Sequence, residues 1–154
     1  MRAVVQRVFR ARVTVDGEET GAIGLGLLAY VGVAPEDGDE EVAWLASRLA
    51  TLRIFPDAEG RFDRSLGDVG GAVLLVSQFT LYGDTRRGRR PSFTAAAPPE
   101  VAEPLIARLA ESLRREGFTV ATGRFGAHML VDAVNDGPVT IILDSTDRDR
   151  SRRG

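Results

Sequence analysis

The chain has 154 residues, 44% of them hydrophobic, with a formal net charge of −2, one histidine and no cysteine. That length suits a single domain with one compact core. Disulfides, thiolate metal sites and thiol nucleophiles are excluded, as is a multi-histidine metal centre, and since all 20 basic residues are arginine, so are lysine Schiff bases and lysine general bases.

The charge balance argues against a protein that coats nucleic acid non-specifically, although a local basic patch is compatible with it. No DNA partner is expected. The apolar stretches fall far short of the roughly 18 residues that cross a bilayer, and the first ten residues lack a signal core, so the expectation is a cytoplasmic protein without a membrane partner.

Residues 3–15 alternate, with Val4, Val13 and Val15 among polar neighbours, and predict one or two strands leading into a turn at Asp16-Gly17. Residues 20–23 and 27–33 read as further strands separated by Gly24 and Gly26. Asp39 is placed to cap a helix whose first turn carries Glu40 and Glu41 and whose apolar face is Val42, Leu45, Ala46, Leu49 and Leu52. Residues 53–55 predict a short strand ended by Pro56, and residues 66–71 a glycine-rich loop into a buried strand at 72–76. A second helix, at 100–116, has Val101, Leu105, Leu109 and Leu113 on one side, Pro104 near its start and Gly117 at its stop. Residues 118–122, 129–134 and 139–143 predict the remaining strands. With no repeat or linker, the expected fold is a single α/β domain of α+β-like character over residues 1–145. Mixed sheets or a barrel-like core dominate it, with two main helices and a charged, disordered tail at 146–154.

Two segments carry possible chemistry. Ser77-Gln78-Phe79-Thr80-Leu81 ends the buried strand with hydroxyls, an amide and main-chain N–H groups of the kind an acyl-transfer oxyanion needs. The same residues also read as a strand end whose polar side chains satisfy neighbouring backbone groups. Asn135-Asp136-Gly137-Pro138-Val139-Thr140 reads as a hairpin connection between two strands.

Taken together, these segments resemble the two signature motifs of the D-aminoacyl-tRNA deacylases, also called D-tyrosyl-tRNA deacylases. The resemblance extends over Met1-Arg2-Ala3-Val4-Val5-Gln6-Arg7-Val8, Gly83-Asp84, Arg90-Pro91-Ser92-Phe93 and Gly123-Arg124-Phe125-Gly126-Ala127, and through Met129 to Asn135, leaving out the tail beyond about Ser145. It implies a homodimeric editing hydrolase that frees D-amino acids, or glycine, from the 3′-terminal adenosine of tRNA and spares L-aminoacyl-tRNA. Ser77, Gln78, Phe79 and Thr80 would form the catalytic segment. Gly137 and Pro138, joined by a cis bond, would enter the partner's site as the chiral filter. Phe93, Phe125, Met129, Asn135 and Thr140 would bind substrate. The attacking group is either Thr80 or a water assisted by the tRNA 2′-hydroxyl, and the water is favoured because a threonine nucleophile needs a base that the chain hardly offers. No cofactor and no metal are expected.

Arg86, Arg87, Arg89 and Arg90 form a focal positive field suited to tRNA phosphates, or alternatively a solvated loop. A Ser77/His128/Asp132 triad is the less favoured reading of the histidine, which fits a surface or strand edge better. Gly24-Leu25-Gly26-Leu27-Leu28-Ala29 mimics a dinucleotide fingerprint but precedes a β-rich run and reads as a bulge. Asp144, Asp147 and Asp149 read as a solvated part of the tail. The competing functions are a non-catalytic RNA-binding or dimeric scaffold and a serine esterase.

Overall fold

A computed structural model describes residues 1–150 of the chain. Its centre is a pair of parallel strands buried on both faces, β3 (Gly26–Gly32) and β6 (Ala72–Ser77), joined in register from Gly26 opposite Ala72 to Val31 opposite Ser77. Two-sided burial explains why both read as continuous apolar runs rather than alternating ones. Leu27, Ala29, Val31, Val73 and Leu75 face a core shared with the helices, whereas Leu28, Leu74 and Val76 face a second core inside the curled sheet.

The helix-side core is covered by α1 (Asp39–Thr51) and α2 (Pro99–Arg115), through Leu45, Leu49, Leu109 and Leu113, all fully buried. Each such leucine contributes about 1.5–3 kcal/mol relative to an exposed one. The apolar spacing in the sequence predicts both faces. The cap of α1 differs from expectation: Gly38 holds the N-cap position, Glu41 accepts a hydrogen bond from the Gly38 N–H at 2.8 Å, and the Asp39 carboxylate turns to Arg108 of α2 at 2.8 Å. α2 continues through Pro104 and ends at Gly117 (φ +94°), with Gly117 N–H donating to Arg114 O and Phe118 N–H to Leu113 O. Only glycine takes that conformation without strain.

β1 (Arg2–Val15) runs antiparallel to β3 through its first half and to β2 (Glu18–Ile23) through its second, after the left-handed Asp16-Gly17 turn. Ala3 and Val5 belong to the helix-side core, and Val8, Ala11, Val13 and Val15 to the other, so β1 bends the sheet from one core to the next. A small ladder joins β4 (Phe55–Pro56) to β5 (Phe62–Arg64), the latter unexpected because all three of its residues are exposed. β7 (Val120–Thr122) pairs parallel with β6. The result is the expected mixed α/β domain with a nearly closed, barrel-like sheet.

Two expectations are corrected. The Asn135-to-Thr140 segment is not a hairpin connection: β8 (Leu130–Asp144) is one strand, both halves of which pair with β1, Thr140 opposite Gln6 and Asn135 opposite Val8. Residues 136–139 stand out from the ladder opposite Arg7 alone, because β1 is long enough to hold both halves in one direction. Gly26 is not part of a bulge either; β3 pairs regularly from that residue onward.

The tail expected to be disordered begins with a 3-10 turn, Ser145–Asp149. Ser145 is buried and accepts from the Met1 ammonium at 2.5 Å, and Arg148 pairs with Glu41 at 2.9 Å. Asp144, Asp147 and Asp149 are taken up by Arg2, Arg150 and Arg148. Residues 151–154 of that expected tail lie outside the described residues.

A Cβ on Gly26 would lie 1.9 Å from the Ala72 carbonyl oxygen, a backbone atom that cannot step aside. Gly26→Ala is therefore expected to destabilise the fold by about 2–3 kcal/mol, measured as a drop in the urea midpoint. An unshifted midpoint would contradict so close an approach of β3 to β6.

Candidate active site

A cavity of about 610 Å³ opens where β6 ends and α2 begins. Ser77, Gln78 and Phe79 form one wall, Phe93 stands at another, and Phe125, His128 and Met129 line the side leading to β8. Tyr30 and Val31 of β3 close the floor, and burial pushes the Tyr30 phenol above its ordinary range, so it stays protonated near neutral pH.

The chain leaves β6 through Gln78, whose N–H donates to Val31 O at 2.8 Å, and then tightens into a 3-10 turn, Phe79–Tyr82. The N–H groups of Phe79 and Thr80 open that turn and have no acceptor among the described residues. Unsatisfied donors at a helical start are a ready anion site when a ligand is present. The Thr80 hydroxyl accepts a short hydrogen bond from Gln78 Nε2, and Thr80 itself is exposed on the turn rather than in the cavity wall. No hydrogen bond links Ser77 or His128 to another side chain among the described residues, and Asp132 is exposed and paired with Arg12, so the triad does not assemble.

Phe93 reaches the cavity because the chain doubles back after the 3-10 turn. Asp84 and Ser92 exchange main-chain hydrogen bonds at 2.7 and 2.9 Å, and beyond them Phe93 meets Phe79 edge-on, the ring centroids 5.1 Å apart. The arginines lie at the tip of this loop. Arg86 grips Asp84 through two contacts of 2.9 and 2.7 Å, and these hydrogen bonds hold the Asp84 carboxyl down to about 2. Arg87, Arg89 and Arg90 are exposed and have no acidic partner among the described residues.

The other predicted residues belong to a separate place in the chain. Gly137 and Pro138, linked by a cis peptide bond, are exposed on the 136–139 protrusion, and neither lines the cavity of its own chain. Asn135 and Thr140 brace its base: Asn135 Oδ1 accepts from Val139 N–H, and Thr140 Oγ1 accepts from Asn135 Nδ2 and Gln6 Nε2, all within 3.3 Å. Sequence reasoning assigned no role to the group beneath, Arg7. Its guanidinium is buried, donates to Ile54 O at 2.7 Å, lies 5.6 Å from the Phe62 ring and pairs with Asp136 at 3.1 Å. That last contact is off hydrogen-bond alignment, leaving Arg7 Nε without a hydrogen-bond partner. The signal was available, since Arg7 continues the inward series Ala3, Val5 and is the one charged residue in it.

A family model described as D-Tyr-tRNA(Tyr) deacylase matches residues 4–144. A D-aminoacyl-tRNA deacylase of Roseiflexus sp. (strain RS-1) is 63% identical over 145 residues, covering 94% of each chain. One from Heliobacterium modesticaldum (strain ATCC 51547 / Ice1) is 56% identical over 144 residues, covering 94% of this chain and 96% of the relative. Among solved structures, one named c-Myc DNA Unwinding Element Binding Protein is similar with a TM-score of 0.88 and 42% identity over 94% of this chain and 99% of its own. A probable eukaryotic D-amino acid tRNA deacylase has the same fold, with a TM-score of 0.78 and 19% identity over 92% and 97%.

Removing one member of a buried ion pair strands the other. Asp136→Asn, which strands the buried Arg7 cation, is expected to lower stability by about 3 kcal/mol in urea denaturation, and Arg7→Leu by less, since the carboxylate it strands is partly exposed. Equal midpoints for wild type and Asp136→Asn would show that the pair contributes nothing.

Proposed function

Because this chain belongs to the D-Tyr-tRNA(Tyr) deacylase family, and is therefore a hydrolase of the ester between a D-amino acid and tRNA, we propose that the ester is cleaved in the cavity beside Ser77, Gln78 and Phe79. An activated water attacks the ester carbonyl, the 2′-hydroxyl of the terminal adenosine assists the proton transfer, and the 3′-oxygen leaves with a proton. The main-chain N–H groups of Phe79 and Thr80 hold the oxyanion. The observation that carries this reading is that pair of donors, unsatisfied among the described residues, beside a cavity in which those residues align no nucleophile with a base. Donors of this kind are each worth about 10²–10³ in rate. Thr80 is ill suited to attack, since its hydroxyl is engaged by Gln78 and among the described residues no base hydrogen-bonds to it.

The chiral filter is the Gly137-Pro138 protrusion of a second copy. A backbone wedge that blocks one configuration needs no knowledge of the side chain on the other, so many D-amino acids pass, and glycine with them. Supporting this, Gly137 and Pro138 are exposed and do not line their own chain's cavity, and the long strand that bears them exposes Leu130 (62%) and Ile142 (72%). Exposed apolar side chains along one strand are what a homodimer would bury. In this reading Phe93 and Phe79 flank the aminoacylated 3′ end, Phe125 and Met129 wall the pocket, Asn135 and Thr140 serve indirectly by bracing the wedge, and the enzyme works where charged tRNA is found, in the cytoplasm. A nucleic-acid-binding scaffold without turnover is the second reading, favoured by the exposed arginines and by a structural relative named as a DNA unwinding element binding protein.

Incubation with D- and L-tyrosyl-tRNA tests the proposal. D-tyrosine should be released and L-tyrosine retained; release of neither would favour the scaffold, and of both an unselective esterase. Leu130→Glu/Ile142→Glu should sediment as a monomer and lose at least about tenfold in D-over-L preference, the loss expected when about 1.4 kcal/mol of discrimination disappears. A monomer with undiminished preference would refute a filter supplied in trans.

The arginine tip makes a separate claim. Replacing Arg87, Arg89 and Arg90 together by alanine should shallow the plot of log affinity for tRNA against log salt by about 0.7 per lost phosphate contact. An unchanged slope would return these residues to the solvent.

A further inference from the structure

The turn that carries Phe79 and Thr80 is held from behind by a residue that lies outside the cavity. Arg2, at the start of β1, sits opposite Gly32 of β3 on one side and Asp144 of β8 on the other. At Gly32 an added Cβ would fall 3.0 Å from Gln78 O, 3.1 Å from the Tyr82 ring and 3.2 Å from Leu81 Cβ, so the missing side chain is what lets the turn settle onto the sheet. The Arg2 side chain then reaches the same turn. Its Nη1 donates to Leu81 O at 2.9 Å, its guanidinium lies 4.7 Å from the centre of the Tyr82 ring, and its Nε donates to Asp144 Oδ2 at 2.9 Å. Asp144 is fixed in turn, since its Oδ1 accepts from both the N–H and the hydroxyl of Thr146.

These contacts fall on the last two residues of a turn whose first two residues carry the free donors. A 3-10 turn of four residues moves as a unit, so fixing Leu81 and Tyr82 fixes the direction of the Phe79 and Thr80 N–H groups. Only a planar, forked cation provides one N–H for a carbonyl, another for a carboxylate and a face for a ring together.

We propose that Arg2 is a positioning residue for deacylation, clamping the turn so that its main-chain donors keep the geometry the oxyanion requires. The proposal rests on the reading of Phe79 and Thr80 as those donors. It accounts for a half-exposed network that ties the start of β1 and the end of β8, paired neighbours in the sheet, to the turn beside the cavity.

The test compares wild type, Arg2→Met, Arg2→Lys and Asp144→Asn with the core variant Val42→Ala, in D-tyrosyl-tRNA deacylation well below each melting temperature. Displacing a catalytic group by about 1 Å can lower a rate by about 10²-fold. Arg2→Met should lose at least about tenfold in kcat while KM for the aminoacyl-tRNA stays within about twofold. Arg2→Lys, which keeps the cation but not the fork, should recover part of kcat. Asp144→Asn should fall in the same direction by less, and it decides the matter if Arg2→Met does not fold. Val42→Ala should lose stability but keep its kcat. Wild-type turnover with undiminished kcat in Arg2→Met and Asp144→Asn, or a change confined to KM, overturns the clamp alone. A wild-type protein that releases no D-tyrosine overturns the deacylation reading and the clamp with it.

Discussion

The ladder between β1 and β8 is the constraint on which the rest of the molecule depends. Both halves of β8 are bound to one continuous partner, so the residues between Asn135 and Thr140 have no strand to follow and must leave the sheet as a protrusion. The same β1 turns the sheet from the helix-side core to the inner core, which sets the curvature that makes the domain barrel-like. One strand therefore decides both where the cavity lies, at the end of β6, and where the Gly137-Pro138 tip is displayed.

Two arginines stand behind the two segments that carry the candidate chemistry. Arg7 lies beneath the protrusion and Arg2 behind the 3-10 turn; each binds a main-chain carbonyl, a carboxylate and an aromatic face. The guanidinium group suits that work because its donors are fixed in a plane, and a carbonyl held by it cannot drift without breaking a second contact. With no lysine in the chain, arginine does all of this, and among the described residues no arginine lines the cavity itself.

Much of the fold was legible in the sequence, for definite reasons. The helices show their faces at helical spacing, and β3 and β6 show two-sided burial as unbroken apolar runs. The Asp16-Gly17 turn is written in the residue types its backbone needs. The single-strand nature of β8 was not legible, because a Gly-Pro step inside a ladder has the same local chemistry as one in a hairpin, and only the length of β1 distinguishes them. β5 was invisible since its residues are exposed, and the order of Ser145–Asp149 was hidden because Arg148 finds its partners Glu40 and Glu41 more than a hundred residues away. The cavity residues Ser77, Gln78, Phe79, Phe93, Phe125 and Met129 were found by resemblance to a family, and the chain brings them together; periodicity alone would have stopped at a polar strand end.

β8 also leaves one flank open, since among the described residues it pairs with β1 and no other strand. Along that flank the backbone N–H and C=O groups of alternate β8 residues are unpaired in the ladder, with apolar side chains beside them, and form a template on which stray chains could accrete. In the dimer proposed above, the same contact would cover that flank and seat the wedge, so solubility and stereochemical fidelity would be lost together.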